Sequence, residues 1–140
     1  MLRKKSKRHF YIVTVIVVLL VIWTAWSNTT VGITHYTVAS DRLPASFDNY
    51  SIVVVSDLHN AEFGENNSQL IKLIEKEKPD IIVITGDLVD SNKTNIDIAQ
   101  KLVGTLTGIA PCYYVTGNHE AWLGEQYQEL ESILLDEEVA

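Results

Sequence analysis

The hydrophobic positions of the chain fall into one long block and several short ones. The long block, residues 10–26, contains no charged side chain. From residue 50 onward, short apolar runs alternate with segments whose apolar residues recur every three to four positions. The short runs indicate strands buried on both faces, and the periodic segments indicate amphipathic helices. The predicted strands are 51–56, 81–85 and 112–116, and the predicted helices are 66–80, 94–106 and 122–138.

This alternation predicts the fold class. Strands that alternate with helices at this spacing form βαβ units with right-handed crossovers and a parallel sheet. We therefore predict an α/β protein of order βαβαβα, preceded by one transmembrane helix. Residues 27–50 form a connector in which 33–40 has mixed strand character and 41–50 is typical of a loop. His35 is interpreted as an ordinary strand histidine.

The long apolar block predicts a membrane anchor. Its length corresponds to roughly 26 Å of helix, near the lower limit for a membrane span. Five basic side chains precede it and none of the acidic ones does, so the positive-inside rule places the N-terminus in the cytoplasm and the rest outside. A cleaved signal peptide is the alternative, because Ala25-Trp26-Ser27 loosely fits a cleavage site. The predicted domains are a basic tail (1–9), a signal-anchor helix (10–26), the connector (27–50) and the α/β domain (51–140).

Charge and cysteine content limit the classes of partner and the covalent links that we expect. The chain carries a net charge of −7, and all of its acidic side chains lie beyond the apolar block. Binding to a nucleic-acid backbone needs Lys and Arg, so we expect no nucleic-acid partner. The single cysteine, Cys112, excludes an intrachain disulfide and is interpreted as a core residue.

Polar side chains follow each predicted strand where it ends. Asp57 and His59 follow the first strand, Asp87 follows the second, and Asn118 and His119 follow the third. The spacing from one cluster to the next matches one βαβ repeat, which brings all three clusters to the same edge of the sheet. In open α/β sheets, ligands bind outside the carboxyl ends of the strands. Gly86 and Gly117, which precede two of these clusters, would allow tight turns and close approach of the backbone.

The chemistry of these side chains indicates a metal site. Carboxylate, amide and imidazole donors together suit Mn²⁺, Fe²⁺ or Zn²⁺ better than Ca²⁺. The alternative interpretation is that Asp57 and Asp87 cap helices and that His119 is an ordinary surface residue. The recurrence of three clusters at matching strand ends favours the metal site.

The three clusters also resemble a known family. "SDLH", "GDLVD" and "GNHE" are similar to the first three blocks of the calcineurin-like metallophosphoesterase superfamily, D-x-H, G-D-x-x-D and G-N-H-[DE]. The resemblance covers roughly residues 33–138. The anchor followed by "LPASFDNYSIVVVSDLH" resembles a bacterial membrane-associated branch, some members of which are similar to UDP-2,3-diacylglucosamine pyrophosphatases acting on a lipid-linked pyrophosphate.

The resemblance implies a role for each residue. Asp57 and His59 would bind a first divalent metal ion, Asp87 would bridge two ions, and Asn118 would bind the second through its amide oxygen. His119 would be catalytic: it would face the phosphate, stabilise the transition state and protonate the leaving oxygen. Asp90 and Glu120 would hold the histidine and the backbone in place. The implied activity is metal-dependent hydrolysis of a phosphoester or pyrophosphate, on a phosphorylated small molecule or a lipid-linked substrate.

The chain departs from the family pattern after residue 119. The family completes its site with a later histidine and a G-H-x-H block, whereas the four histidines here are His9, His35, His59 and His119. We therefore expect the chain to be the N-terminal half of a metallophosphoesterase-type α/β sandwich, lacking the C-terminal metal-binding histidines. The alternative is a non-catalytic, membrane-anchored module of the same fold.

Overall fold

The computed structural model describes the backbone of residues 2–140 and the side chains of residues 7–27 and 30–140. Arg3, Lys4 and Lys5 of the predicted basic tail therefore lie outside the described side chains. The chain divides into two compact units, Met1–Gly32 and Ile33–Ala140.

The first unit contains one helix among its described residues, α1 (Leu2–Thr29). Within it, Lys7–Ser27 is long and apolar enough to cross a membrane, with a mean hydropathy of 2.3 over its most apolar window. Its described apolar side chains are exposed, Leu19 by 59% and Val21 by 61%. An apolar surface on all sides of a helix is typical of a membrane span, and a signal sequence near the N-terminus has the same composition.

The second unit contains a three-stranded parallel sheet with helices packed on one face. Its strands are β1 (Ile52–Val55), β2 (Ile81–Ile84) and β3 (Cys112–Tyr114), in the spatial order β1-β2-β3. The helices are α2 (Ser68–Glu77), α3 (Ile96–Thr107), the short α4 (Asn118–Ala121) and α5 (Gln126–Asp136), with 3₁₀ turns at Ala45–Phe47 and Glu65–Asn67. The predicted α/β class and parallel sheet are confirmed.

The sheet is buried on one face, whereas the sequence predicts burial on both. The register aligns Val54 with Val83 and Val83 with Tyr113. This row belongs to the uncovered face, where Val54 is 60% and Tyr113 is 46% exposed. The prediction was wrong because right-handed crossovers between adjacent strands place their helices on the same side, and α3 packs between α2 and α5 there.

Two other predicted elements differ. Residues 30–51, all of which the structure describes, contain no strand, so the short strand predicted at 33–40 was wrong. Residues 33–40 are exposed and belong to no sheet; His35 instead lies 2.8 Å from the Glu77 carboxylate. The helix predicted at 122–138 is shorter in the structure, as α5 (Gln126–Asp136), because Gly124 in the preceding turn adopts a φ of 60° that a right-handed helix does not accommodate.

Candidate metal centre

The ends of the strands meet at one edge of the sheet, as the sequence predicts. The loop after β1 is hydrogen-bonded to the loop after β2, since the backbone N–H of His59 donates to the Asp87 carbonyl at 2.8 Å. Asp57, His59 and Asp87 each offer a ligand atom, and these atoms lie within 4.8 Å of one another. His59 Nε2 is 3.9 Å from Asp87 Oδ2.

The same three residues share an uncommon backbone conformation. The φ angles of Asp57, His59 and Asp87 are 54°, 47° and 50°. Left-handed φ is found in only a few per cent of non-glycine residues, although Asp, Asn and His adopt it more readily than most. Such strained conformations cluster at functional sites, where the surrounding structure holds them. The three residues with strained backbone angles are the same three whose side chains converge.

Two glycines allow the loops after β2 and β3 to approach this closely. Gly86 has a φ of 87°, and a Cβ atom there would lie 2.5 Å from the Gly117 backbone nitrogen. A Cβ atom on Gly117 would overlap the Asp87 carboxylate. The tight turn and close approach predicted for these glycines are confirmed.

Asp87 occupies the centre of the cluster. It is 8% exposed, and its Oδ1 accepts a hydrogen bond of 2.8 Å from the backbone N–H of His119. Its Oδ2 faces His59. Asp57, by contrast, is exposed, and its Oδ2 accepts a hydrogen bond from the Ser56 hydroxyl. Asn118, the first residue of α4, is also exposed, and its neighbour His119 links it to Asp87.

His119 lies beside His59, with ring centroids 4.4 Å apart. Its Nδ1 accepts a hydrogen bond of 3.1 Å from the backbone N–H of Ser91, and the Ser91 hydroxyl is 3.2 Å away. In the neutral tautomer that accepts this bond, Nδ1 is unprotonated and the proton lies on Nε2. The arrangement thus leaves the Nε2–H of His119 free of this anchor and available as a donor.

Asp90 Oδ1 lies 3.5 Å from the same His119 nitrogen. The backbone N–H of Asn92 donates to this oxygen at 2.8 Å, and this bond is the main reason that the pKa of the Asp90 carboxyl is lowered. The Asn92 side chain, which donates to the same oxygen at 3.3 Å, and the charge of the His119 imidazole when protonated lower the pKa further. Asp90 therefore stays ionised beside His119 at neutral pH.

Glu120 is fully buried, and its carboxylate joins two loops. Oε1 accepts hydrogen bonds from the N–H groups of Leu88 (2.8 Å) and Val89 (3.2 Å). Oε2 accepts hydrogen bonds from the N–H groups of Asp87 (2.8 Å) and Gly117 (2.8 Å). A buried carboxylate is stabilised when donors satisfy its lone pairs, and here each oxygen has two.

Asn60 is a positioning residue that the sequence analysis missed. Its Oδ1 accepts hydrogen bonds from the backbone N–H groups of Asp90 (2.7 Å) and Asn95 (3.2 Å). Its Nδ2 donates to the Asn95 carbonyl at 2.7 Å. Asn60 thereby ties the loop after β1 to the loop after β2, as Glu120 ties the loop after β2 to α4. The available signal was an amide side chain directly after "DLH". Ser91, which holds His119, carried no comparable signal.

The donor set fits a divalent metal ion. Two carboxylates and one imidazole within 4.8 Å are the ligand types found around Mn²⁺, Fe²⁺ and Zn²⁺. One Asp87 oxygen is fixed by the His119 N–H, which orients the carboxylate as hydrogen bonds to metal ligands commonly do. The catalytic role of His119 and the ligand roles of the other predicted residues stay predictions.

Comparison with known proteins matches this chain to metallophosphoesterases. The family model described as calcineurin-like phosphoesterase matches residues 50–138, well over half of the chain. An uncharacterized metallophosphoesterase of Aquifex aeolicus is 35% identical over 91 residues, covering 64% of this chain and 34% of that protein. A Bos taurus transmembrane protein with metallophosphoesterase domain is 31% identical over 125 residues, covering 88% of this chain and 28% of that protein. An uncharacterized metallophosphoesterase of Bacillus subtilis is 38% identical over 95 residues, covering 62% of this chain and 32% of that protein.

The chain spans about a third of the length of these relatives. The matched region contains the sheet, all three strand-end clusters and the loops that Asn60 and Glu120 join. Motif, fold and family model agree, and the chain belongs to the calcineurin-like phosphoesterase family.

Proposed function

We propose that residues 50–138 form part of a two-metal site that hydrolyses phosphoesters or pyrophosphates. The observation that carries the proposal is the convergence of Asp57, His59 and Asp87, whose ligand atoms lie within 4.8 Å of one another. Family membership supports the same reaction class. Asp57 and His59 would hold one ion, Asp87 would bridge to a second, and Asn118 would hold the second.

The bound metal ions, Mn, Fe or Zn, would supply Lewis-acid polarisation of the phosphoryl oxygen and a hydroxide nucleophile at neutral pH. The chain's own residues do the rest. Glu120 and Asn60 fix the loops, so that the ligand side chains are positioned before substrate binds. His119 would face the phosphate and, as an imidazolium whose Nδ1 lies 3.5 Å from Asp90 Oδ1, would protonate the leaving oxygen and become a neutral imidazole.

The substrate class that we propose is a phosphorylated small molecule or a lipid-linked phosphoester or pyrophosphate. Two features support a lipid-linked substrate. The chain carries an apolar helix that is long enough to cross a membrane. A relative that covers 88% of this chain is described as a transmembrane protein. Basic residues before the helix support a cytoplasmic N-terminus and an extracytoplasmic phosphoesterase domain.

Metal binding by the full chain in detergent micelles tests the proposal. Four side chains cannot complete the coordination of two ions, so we expect weak binding and little or no hydrolysis of a model phosphodiester with added Mn²⁺. Asp87→Asn should be the most damaging change, because Asp87 is the one residue assigned to both ions, and should lower metal affinity at least about tenfold. Asp136→Asn, an exposed aspartate on α5, is the matched control.

Bound metal is measured by elemental analysis after dialysis and by titration calorimetry with Mn²⁺ and Zn²⁺. Equal metal affinity in Asp87→Asn and the unsubstituted chain would refute the proposed centre. If the unsubstituted chain hydrolyses the phosphodiester at a rate typical of enzymes, the assignment of an incomplete ligand set is wrong.

A further inference from the structure

A large aromatic side chain stands beside the proposed proton donor. The ring centroid of Trp122 is 5.2 Å from that of His119, with an angle of 50° between the planes. The backbone N–H of Trp122 bonds to the carbonyls of Asn118 (3.2 Å) and His119 (3.1 Å). The turn that carries His119 therefore also fixes the position of Trp122.

Packing of the core does not explain Trp122. Its side chain is 66% exposed, whereas the next residue, Leu123, is 7% exposed and does pack into the interior. Trp is highly buried on average, so a mostly exposed Trp at the edge of a candidate site points to a binding role.

The His119 ring contacts two other rings, His59 on the side of the ligand cluster and Trp122. His59 Nε2 is 3.9 Å from Asp87 Oδ2, the His59 and His119 rings are 4.4 Å apart, and the His119 and Trp122 rings are 5.2 Å apart. Under the proposed function, on which this step rests, the phosphorus centre lies at the ligand cluster of Asp57, His59 and Asp87, and His119 protonates the leaving oxygen. The group attached to that oxygen then lies beside His119, whose ring is next to that of Trp122.

We propose that Trp122 is a specificity-determining residue that stacks on a planar aromatic ring in the leaving group of the substrate. An exposed indole offers a flat apolar surface, and aromatic rings prefer offset or tilted stacking on such a surface. An aryl alcohol and a nucleobase share this chemistry. A substrate with a small aliphatic leaving group would gain nothing from Trp122.

Stable phosphonates test the proposal without requiring turnover. The chain has three tryptophans, and the other two, Trp23 and Trp26, lie in α1. A full-length chain carrying Trp23→Phe and Trp26→Phe reports on Trp122 alone. It is titrated in micelles with phenylphosphonate and with methylphosphonate in the presence of Zn²⁺, and tryptophan emission and calorimetric affinity are recorded.

We expect phenylphosphonate to change the Trp122 emission and to bind about tenfold more tightly than methylphosphonate. Trp122→Ala should remove the preference, and Trp122→Phe, which keeps a flat ring, should retain most of it. Tyr36→Ala is the matched control, because Tyr36 is an 87% exposed aromatic beside His35, which pairs with the far end of α2. This control should keep the full preference.

The phosphonate titrations distinguish a wrong role for Trp122 from a wrong metal centre. Equal binding of the two phosphonates, or a tenfold preference that survives Trp122→Ala, overturns the role of Trp122 and leaves the metal centre standing. Absence of Zn²⁺-dependent binding of either phosphonate overturns both. The emission change in the folded background chain tests contact with Trp122 even if Trp122→Ala does not fold.

Discussion

Glu120→Gln tests how the candidate centre is held together. Glu120 is 0% exposed, and its two oxygens accept hydrogen bonds from four backbone N–H groups. Glutamine has nearly the same shape but replaces one acceptor oxygen with a donor NH₂ group. Because each carboxylate oxygen serves two donors, turning the amide over does not help. Two backbone N–H groups lose their acceptor in either orientation.

The magnitude follows from these two lost partners. Each buried N–H left unsatisfied costs about 1–3 kcal/mol, so the expected loss in the free energy of unfolding is about 2–6 kcal/mol. Domains of this size are stable by about 5–15 kcal/mol in total. The substitution should therefore remove a large fraction of the stability of residues 33–140. It should also weaken metal binding, since two of the four donors belong to Asp87 and Gly117.

The single cysteine supplies the assay. Cys112 in β3 is 2% exposed, so it reacts with a thiol reagent only when the sheet opens. Pulse alkylation of the full chain in micelles across a urea gradient measures unfolding of this unit alone, without interference from α1. Glu131→Gln, an exposed glutamate on α5, should stay within about 0.5 kcal/mol of the unsubstituted chain. If Glu120→Gln unfolds at the same urea concentration as Glu131→Gln, Glu120 is not the anchor described above.

Three further predictions concern His119, Cys112 and Asn60. In a longer protein with a complete site, His119→Ala should lower turnover about 10²–10³-fold and leave the metal content nearly unchanged, because the proposed task of His119 is proton transfer. Phosphodiester hydrolysis measures the turnover and elemental analysis measures the bound metal. A parallel loss of bound metal would contradict that role. The thiol of Cys112, whose pKa is raised by burial to about 11, should resist iodoacetamide at pH 8 in the native chain and react once the chain is unfolded; rapid native labelling would contradict the buried assignment. Asn60→Ala should lose about 1–2 kcal/mol of stability and reduce metal affinity, whereas Gln128→Ala, an exposed control on α5, should change neither; calorimetry with Zn²⁺ separates the two effects.

The sheet and the meeting of its strand ends were predictable from the sequence. Short runs such as "IIVI" carry an unmistakable strand signal, and the parallel order follows from the helices between them. Once the strands are parallel, polar residues directly after them must share an edge. Asp57, His59 and Asp87 come together for that reason, and no long-range information was required.

The uncovered face of the sheet was not predictable from the same runs. Val53 and Val54 are the same residue type, yet Val54 is 60% exposed and Val53 is partly covered. A continuous apolar run has no periodicity that identifies a covered face. Which face is covered depends on where the helices pack, and that information lies in the crossovers. The strand predicted at 33–40 failed for a related reason, because strand character has no meaning without a neighbouring strand to pair with.

The hydrogen bonds that hold the site together could not be predicted from sequence patterns. Glu120 belongs to the GNHE motif, but the motif does not indicate that the Glu120 carboxylate bonds to the N–H groups of Leu88 and Val89, more than 30 residues away. Asn60 and Ser91 stand in loops where Asn and Ser are common for reasons of turn formation. Their contacts depend on loop conformations that only the folded sheet brings together.

The hydrogen bonds of Asn60 and Glu120 offset the backbone strain at the candidate metal ligands. Three ligand candidates adopt left-handed φ angles, at a cost of about 1–2 kcal/mol each or about 3–6 kcal/mol together. Asn60 makes three hydrogen bonds and Glu120 accepts four. At about 0.5–1.5 kcal/mol net for each bond, their contribution is of the same order as the strain. Without these anchors the loops would relax toward ordinary conformations, and the three ligand atoms would separate. The chain therefore keeps its ligands close together by opposing two local energies of similar size, so loss of an anchor should reduce metal affinity by misplacing ligands that remain chemically intact.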